Sequence, residues 1–460
     1  MTELDHGSDQ YRDWFQKSKQ VFDTVNDLEG MQQLNRRGLI KNYTEFRHMT
    51  SNRTPLLDAV CNDRPFEIIQ ILLQNRANPF ATSDNKGVLH WCVEHDDIET
   101  TKMILEHGCL VLQYKNPLFQ PEIFDNGASI MQNKLNFVNQ RNRYGQTPLH
   151  LAIGKLPFRH HTRDNDERKE TDDIKLANLL NLVKLLVNYG ADVNSIDETG
   201  QSPIFTCTDS RYFKITEFLL DNGAKVDITD NDEETPLFVC IRDLQIVKLI
   251  CHAGADVKHI NSAGKTPLHK SVEVGVVTQF LISKGVDIEA PDRTLLTPIH
   301  DAVQCGNLES IKILCNSRAD LSVKNYIGNT LLHTAVSRRD SQLITEFLIK
   351  KHLHINAVNL DGTTPFMLAA EYGSLRSAML LWQGGADIYM EDKHGSTALD
   401  LITDESDWSK DNPVRQFLEK YIHEKRSEAL AMALHERLGD ASPAKSIDTE
   451  ILRIIREGNY

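Results

Sequence analysis

The feature that most limits what this chain can fold into is a phrase that returns about every 33 residues. Its clean copies are Gly145-Gln-Thr-Pro-Leu-His-Leu-Ala, Gly264-Lys-Thr-Pro-Leu-His and Leu296-Thr-Pro-Ile-His-Asp-Ala. Looser ones are Gln201-Ser-Pro-Ile, Glu234-Thr-Pro-Leu and Thr363-Thr-Pro-Phe-Met-Leu-Ala-Ala. A second phrase alternates with the first, as in Leu185-Leu-Val-Asn-Tyr-Gly-Ala-Asp-Val-Asn and Phe218-Leu-Leu-Asp-Asn-Gly-Ala-Lys-Val-Asp. With the Thr of Thr-Pro as anchor, the copies fall at 54, 87, 147, 202, 235, 266, 297, 330, 364 and 397, Gly87 and Ser202 filling two of them. Two of the steps are long and carry insertions of 27 and 22 residues. A fixed period of this length means stacked supersecondary units rather than independent globular domains, so one core can run along a chain of 460 residues.

The phrase has a local physical meaning. Thr can cap a helix, and Pro costs nothing at the first helical position. Small residues after it, as in Leu368-Ala-Ala, let two helices approach closely. The following helix carries a doubled apolar stripe, Ile68-Ile69 with Leu72-Leu73 or Ile311 with Ile313-Leu314. Gly190, Gly223, Gly254 and Gly285 then stop it, as a left-handed C-cap requires. Each helix pair leaves an apolar face uncovered until a neighbour stacks on it.

Ten such units, with their Thr-Pro-Leu-His and Gly-Ala-Asp phrases, resemble the ankyrin repeat over about Arg53 to Glu405. The resemblance implies an all-α solenoid of stacked helix pairs with β-turn fingers and helical caps at both ends. It divides the chain into a helical cap at 1–50, a repeat array at 51–405 and a C-terminal cap or tail at 406–460. It also implies that His90, His150, His269, His300 and His333 tie neighbouring turns together rather than catalyse. The implied activity is non-catalytic: a protein–protein interaction scaffold or targeting subunit. Two other uses of the fold stay open, the substrate receptor of a ubiquitin ligase and a host-directed effector.

In ankyrin repeats the exposed, freely varying positions lie one, three and four residues before the anchor and seven and eight after it. For the anchors at 202 and 235 these are Glu198, Thr199, Gln201, Asp209, Ser210, Asn231, Asp232, Glu234, Arg242 and Asp243, five acids against one base. Toward the C-terminus the same positions turn aromatic and basic: Tyr326, Arg338, Tyr372, Lys393 and His394. Such a surface would steer a basic segment of a partner protein into the groove, with the aromatics adding contact area. Ordinary solvated acids are the plainer account of the same residues. Asn194 closes a sequence that resembles the one preferred by the asparaginyl hydroxylase of animal ankyrin repeats, which makes it a candidate modification site beside its plain role in a turn.

The segments outside the period are read separately. Tyr11, Trp14, Phe15, Phe22, Val25 and Leu28 lie near helical spacing with Gly30 after them, which predicts a helix capping the first repeat, or a partner-binding one. The insertion at about 109–135 is apolar and aromatic, which suits packing on the array or on a partner. The one at about 155–173 is polar and reads as a mobile surface loop. Asn412-Pro413 opens a helix with Val414, Phe417, Leu418, Tyr421 and Ile422 on one face. Farther on, residues 442–455 faintly resemble the opening of an F-box, with Asp448 where that motif carries Pro.

Composition excludes more than it assigns. A formal charge of −14 without a basic stripe argues against nucleic acid as partner. No apolar run is long enough for a membrane span, and the N-terminus has no secretory pattern. The eight cysteines show no CxxC and no metal spacing, and read as reduced core residues of an intracellular protein of the cytoplasm or nucleus. Gly264-Lys265-Thr266 imitates the end of a phosphate loop, but His259 stands where that motif needs its first glycine. His160-His161 lacks companion ligands. No catalytic constellation, metal site or cofactor is expected.

Overall fold

The computed structural model describes residues 9–40, 53–83, 85–113, 135–154, 166–207, 210–338, 342–402 and 412–438. They belong to two units, Met1–Ser262 and Ala263–Tyr460, called here the N-terminal and C-terminal bodies. In each, helix pairs stack in series, first helices on first helices and second on second. The only strands among the described residues are Thr82–Ser83 and Lys86–Gly87, a two-residue antiparallel pair.

Each first helix starts one residue after its anchor, as at Pro148–Ile153, Pro267–Ser271 and Pro298–Cys305. The histidine three residues past the anchor closes that end. Its Nδ1 accepts the anchor N–H, at 3.2 Å for Thr147 and His150 and 3.0 Å for Thr266 and His269. Its Nε2 then reaches the residue before the next anchor: His90 to the Gln146 carbonyl at 3.1 Å, His150 to Gln201 at 3.1 Å, His269 to Leu296 at 3.1 Å and His333 to Thr363 at 2.9 Å. With Nδ1 accepting, Nε2 must be the donor, so these rings are neutral. Burial pushes their pKa below the ordinary value, to about 4 for His300 and His333. Where histidine is missing, other groups take the place. Met367 Sδ accepts from Thr364 N at 3.3 Å and Asp400 Oδ2 from Thr397 N at 2.9 Å.

Between units the chain turns through a finger built on one Asp or Asn. Asp197, Asp230, Asp292, Asn325, Asn359 and Asp392 each accept, on one oxygen, the N–H groups two and four residues on. Neighbouring fingers are joined by backbone bonds: Glu198 N to Tyr144 O, Asn231 N to Thr199 O, Tyr326 N to Thr294 O, Leu360 N to Ile327 O and Lys393 N to Asp361 O. The glycine two before the anchor serves both needs. Gly264 and Gly362 have φ of 80°, and a Cβ on either would meet the next finger's backbone nitrogen at 2.8 Å.

Several expectations are corrected. Gly30 does not end the N-terminal helix. The chain breaks earlier, after Asp9–Thr24, and Asp27 caps a second helix, Leu28–Arg36, which contains Gly30. That helix packs on Phe66–Gln74, the second helix of the first repeat, so the array's first end is covered by a helix pair. Residues 166–173, expected in a loop, begin the 23-residue helix Asp166–Asn188. The first insertion, placed at about 109–135, likewise begins in helix, since Ile98–Gln113 is continuous through Gly108. The remainder of both insertions lies outside the described residues.

Cys92, Cys207 and Cys240 are core residues, but Cys305 is exposed and Cys61, Cys109, Cys251 and Cys315 are half-buried, because they fall on the flanks of their helices. At the far end Pro413–Leu438 forms one helix, capped by Asn412, whose Oδ1 accepts from Val414 N and whose Nδ2 donates to the Ala370 carbonyl at 3.0 Å. Val414 and Leu418 are buried, and Phe417 and Tyr421 close on Trp382 at 5.5 and 5.2 Å. The C-terminal end of the array thus has its own helical cover.

Candidate partner-binding surface

The residues expected to read a partner divide in two once their bonds are followed. Within the N-terminal body, Glu198 and Asp232 are exposed on joined fingers, with Glu233 beside them. Asp243 is different. Its Oδ1 caps the helix Leu244–His252 through Gln245 N and Ile246 N, and its Oδ2 accepts Ser210 N at 2.8 Å. Half-buried Glu234 accepts from Asn261 Nδ2 at 3.1 Å. These two carboxylates hold the array together, which a readout by position alone does not distinguish from recognition. Asp209 lies outside the described residues.

Within the C-terminal body, Tyr326 and Tyr372 are exposed, as are Lys393 and His394. Arg338 is half-buried, its guanidinium over Gly306. Tyr326, Lys393 and His394 share the finger edge, whereas Arg338 and Tyr372 follow the first helices. Lys265, just before an anchor, is committed to structure: its ammonium lies 2.9 Å and 3.0 Å from the two oxygens of buried Asp301 and 3.9 Å from Asp292. Burial raises the Asp301 pKa, against the pull of Lys265. Burial acts on Asp292 in the same sense, but hydrogen bonds from Thr294 and Leu296 outweigh it and hold that carboxyl below its usual range. Nothing in the period announces this pair, since neither position carries a fixed residue type.

Asn194 spans two turns. Its Nδ2 donates to the Gly223 carbonyl at 2.9 Å and its Oδ1 accepts from Lys225 N at 2.8 Å. Asn139 makes the same pair of bonds, to Gly190 O and Asp192 N. The F-box-like residues 442–455 lie outside the described residues. Among the described residues no group of three or more His, Cys, Asp and Glu could hold a metal ion, and no helix is long and apolar enough to cross a membrane.

A model for ankyrin repeats in three copies matches residues 174–261, 242–325 and 322–392, and one for the single ankyrin repeat matches 51–84 and 144–198. Together they take in well over half of the chain. The chain belongs to the ankyrin-repeat family.

Among curated proteins it is similar to the poly [ADP-ribose] polymerase tankyrase of Caenorhabditis elegans, 37% identical over 15% of this chain and 3% of that one. It is 31% identical to the fowlpox virus ankyrin repeat protein FPV024, over 20% of this chain and 18% of the relative. It is 41% identical to the mouse nuclear factor NF-kappa-B p105 subunit, over 14% and 7%. The chain therefore spans less than a fifth of the length of each. Among solved structures, the human ASB11 ankyrin repeat domain aligns at 21% identity and a TM-score of 0.42, over 47% of this chain and 98% of that domain. Ankyrin repeats are protein-interaction modules, and the geometry above is that of such a module: rigid helix pairs presenting an edge of fingers.

Proposed function

We propose that this ankyrin-repeat protein is a non-catalytic scaffold or targeting subunit, and that the N-terminal body receives a basic segment of a partner protein. The observation that carries this is the run of exposed carboxylates Glu198, Asp232 and Glu233 on fingers locked to each other by backbone bonds. Charges fixed on a rigid edge need no ordering on binding and raise the encounter rate with an opposite charge. Such binding weakens as salt screens it.

The test must avoid carboxylates that hold the fold, so it uses Glu198→Lys together with Asp232→Lys and leaves Asp243 alone. A Lys/Arg-rich peptide titrated against the full chain should bind at low salt, weaken as salt rises, and lose most of its affinity to the double variant at an unchanged melting temperature. Peptide binding that ignores both the reversal and the salt would remove this reading.

A further inference from the structure

Three successive fingers of the C-terminal body are apolar, where two of the N-terminal body, those of Glu198 and of Asp232 with Glu233, are acidic. Leu295, Tyr326, Ile327 and Leu360 stand on three successive fingers, 53%, 61%, 38% and 58% exposed. The fingers are joined by Tyr326 N to Thr294 O at 3.2 Å and Leu360 N to Ile327 O at 3.0 Å, so these side chains form one ridge. Large apolar side chains side by side in water mark a contact surface, whereas single ones do not.

Leu295 is the strongest sign. It occupies the finger position where the fingers around it have Gly264, Gly328 and Gly362, and it takes their left-handed conformation, with φ of 59°. That conformation is costly for a bulky residue, and glycine would hold it freely. The neighbouring joint also departs from the series. Thr330 and Asn329 are half-exposed, and His300 Nε2, fully buried, makes no well-formed hydrogen bond. Burial disfavours its charged form, and only the Asp292 carboxylate and the Val323 backbone act the other way. Folding is not served by a strained backbone, an exposed leucine or a buried ring nitrogen without a partner, and strain kept at a surface points to use. Glu233 holds the same position in the N-terminal body, but its carboxylate is at home in water.

Charge says what kind of segment fits. Exposed Arg293 precedes the ridge on its first finger, and exposed Lys393 follows it on the next finger after Leu360, joined through Lys393 N to Asp361 O. Asp361 is the one acid among the tip residues of these fingers. We propose that this ridge docks a short apolar peptide segment of a partner protein with acidic residues at both ends, Leu295 being its central anchor. The proposal rests on the reading of the finger edge as the partner surface, and assigns the C-terminal body a partner chemistry opposite to that of the N-terminal one.

A display library of random peptides selected on the full chain tests it. The selected sequences should have apolar centres and Asp or Glu on either side. Leu295→Gly should weaken their binding about tenfold while the melting temperature stays level or rises, since glycine relieves the strained backbone. Leu360→Ser should weaken them likewise, and Asp232→Lys should leave them unchanged. Selected peptides that bind Leu295→Gly and Leu360→Ser as well as wild type overturn the proposal. If those peptides are basic and respond only to Glu198→Lys and Asp232→Lys, the ridge falls while the acidic edge stands. A selection that yields no peptide dependent on either set removes both.

Discussion

The units anchored at Ser202 and Thr235 and those anchored at Thr266 and Thr330 share a sequence phrase but not a joint. In the second pair, His269 and His333 accept the anchor N–H and hand the other ring nitrogen to the following finger. In the first pair Phe205 and Phe238 stand in that place and are buried without any polar bond to offer. Their first helices shrink to four residues, Pro203–Thr206 in 3₁₀ form and Pro236–Val239. The anchor hydroxyls Ser202 Oγ and Thr235 Oγ1 are left buried without a hydrogen bond. Two units can therefore join without the histidine bridge, through packing, the Asn231 N to Thr199 O bond and Asp243 on Ser210 N, and the histidine adds registry where it occurs. The difference lies in how a joint resists acid and small truncations, not in whether it forms.

Three changes would break or sharpen that contrast. The largest effect belongs to the packing both kinds of joint share. Leu268 is fully buried between stacked helices, and Leu268→Asp should cost about 4 kcal/mol or more by leaving an unpaired charge there. A variant with wild-type melting by circular dichroism would show the anchor register to be wrong.

Next comes pH. Imidazoles held neutral by burial take up protons more readily in the unfolded chain, so their contribution is complete above about pH 6.5 and is lost as pH falls toward 4. For His300 and His333 a drop from pH 7 to pH 5 should cost about 2 kcal/mol each. His333→Phe, which copies the other joint, should lose its share of that dependence. Denaturant melts at the two pH values measure it, and an undiminished pH effect in the variant would dissociate acid sensitivity from the bridge.

The smallest effect separates the anchors themselves. Thr266→Ala deletes the hydroxyl bonded to His269 Nδ1 at 2.9 Å and should cost about 1 kcal/mol. Thr235→Ala deletes a hydroxyl with no bond and should be near neutral. Equal costs would mean that the histidine joint has no special hold on its anchor.

Residue spacing on its own determined the periodic part of this protein. A Thr-Pro phrase every 33 residues, an apolar stripe after it and a glycine beyond fix where each helix starts, which face it buries and where it stops, because those are local choices repeated at each unit. The open apolar faces then require stacking. What followed from neighbours across space was invisible in the sequence. Leu219 and Leu220 stand side by side in the second phrase, yet Leu219 is buried and Leu220 only half-buried, because packing against adjoining helices sets the rotation of Phe213–Asp221. Asp243 had the type and position of a readout residue, yet its two oxygens are spent on a cap and on Ser210 N. Lys265 and Asp301, 36 residues apart, meet only because two units stack. Leu295, two residues before its anchor, is put on the ridge by its positive φ and its exposure, neither of which its residue type announces. Helices and turns are set by residues a few positions away, which a sequence displays. Which carboxylate is spent and which is free depends on partners a whole repeat away, and only packing decides those.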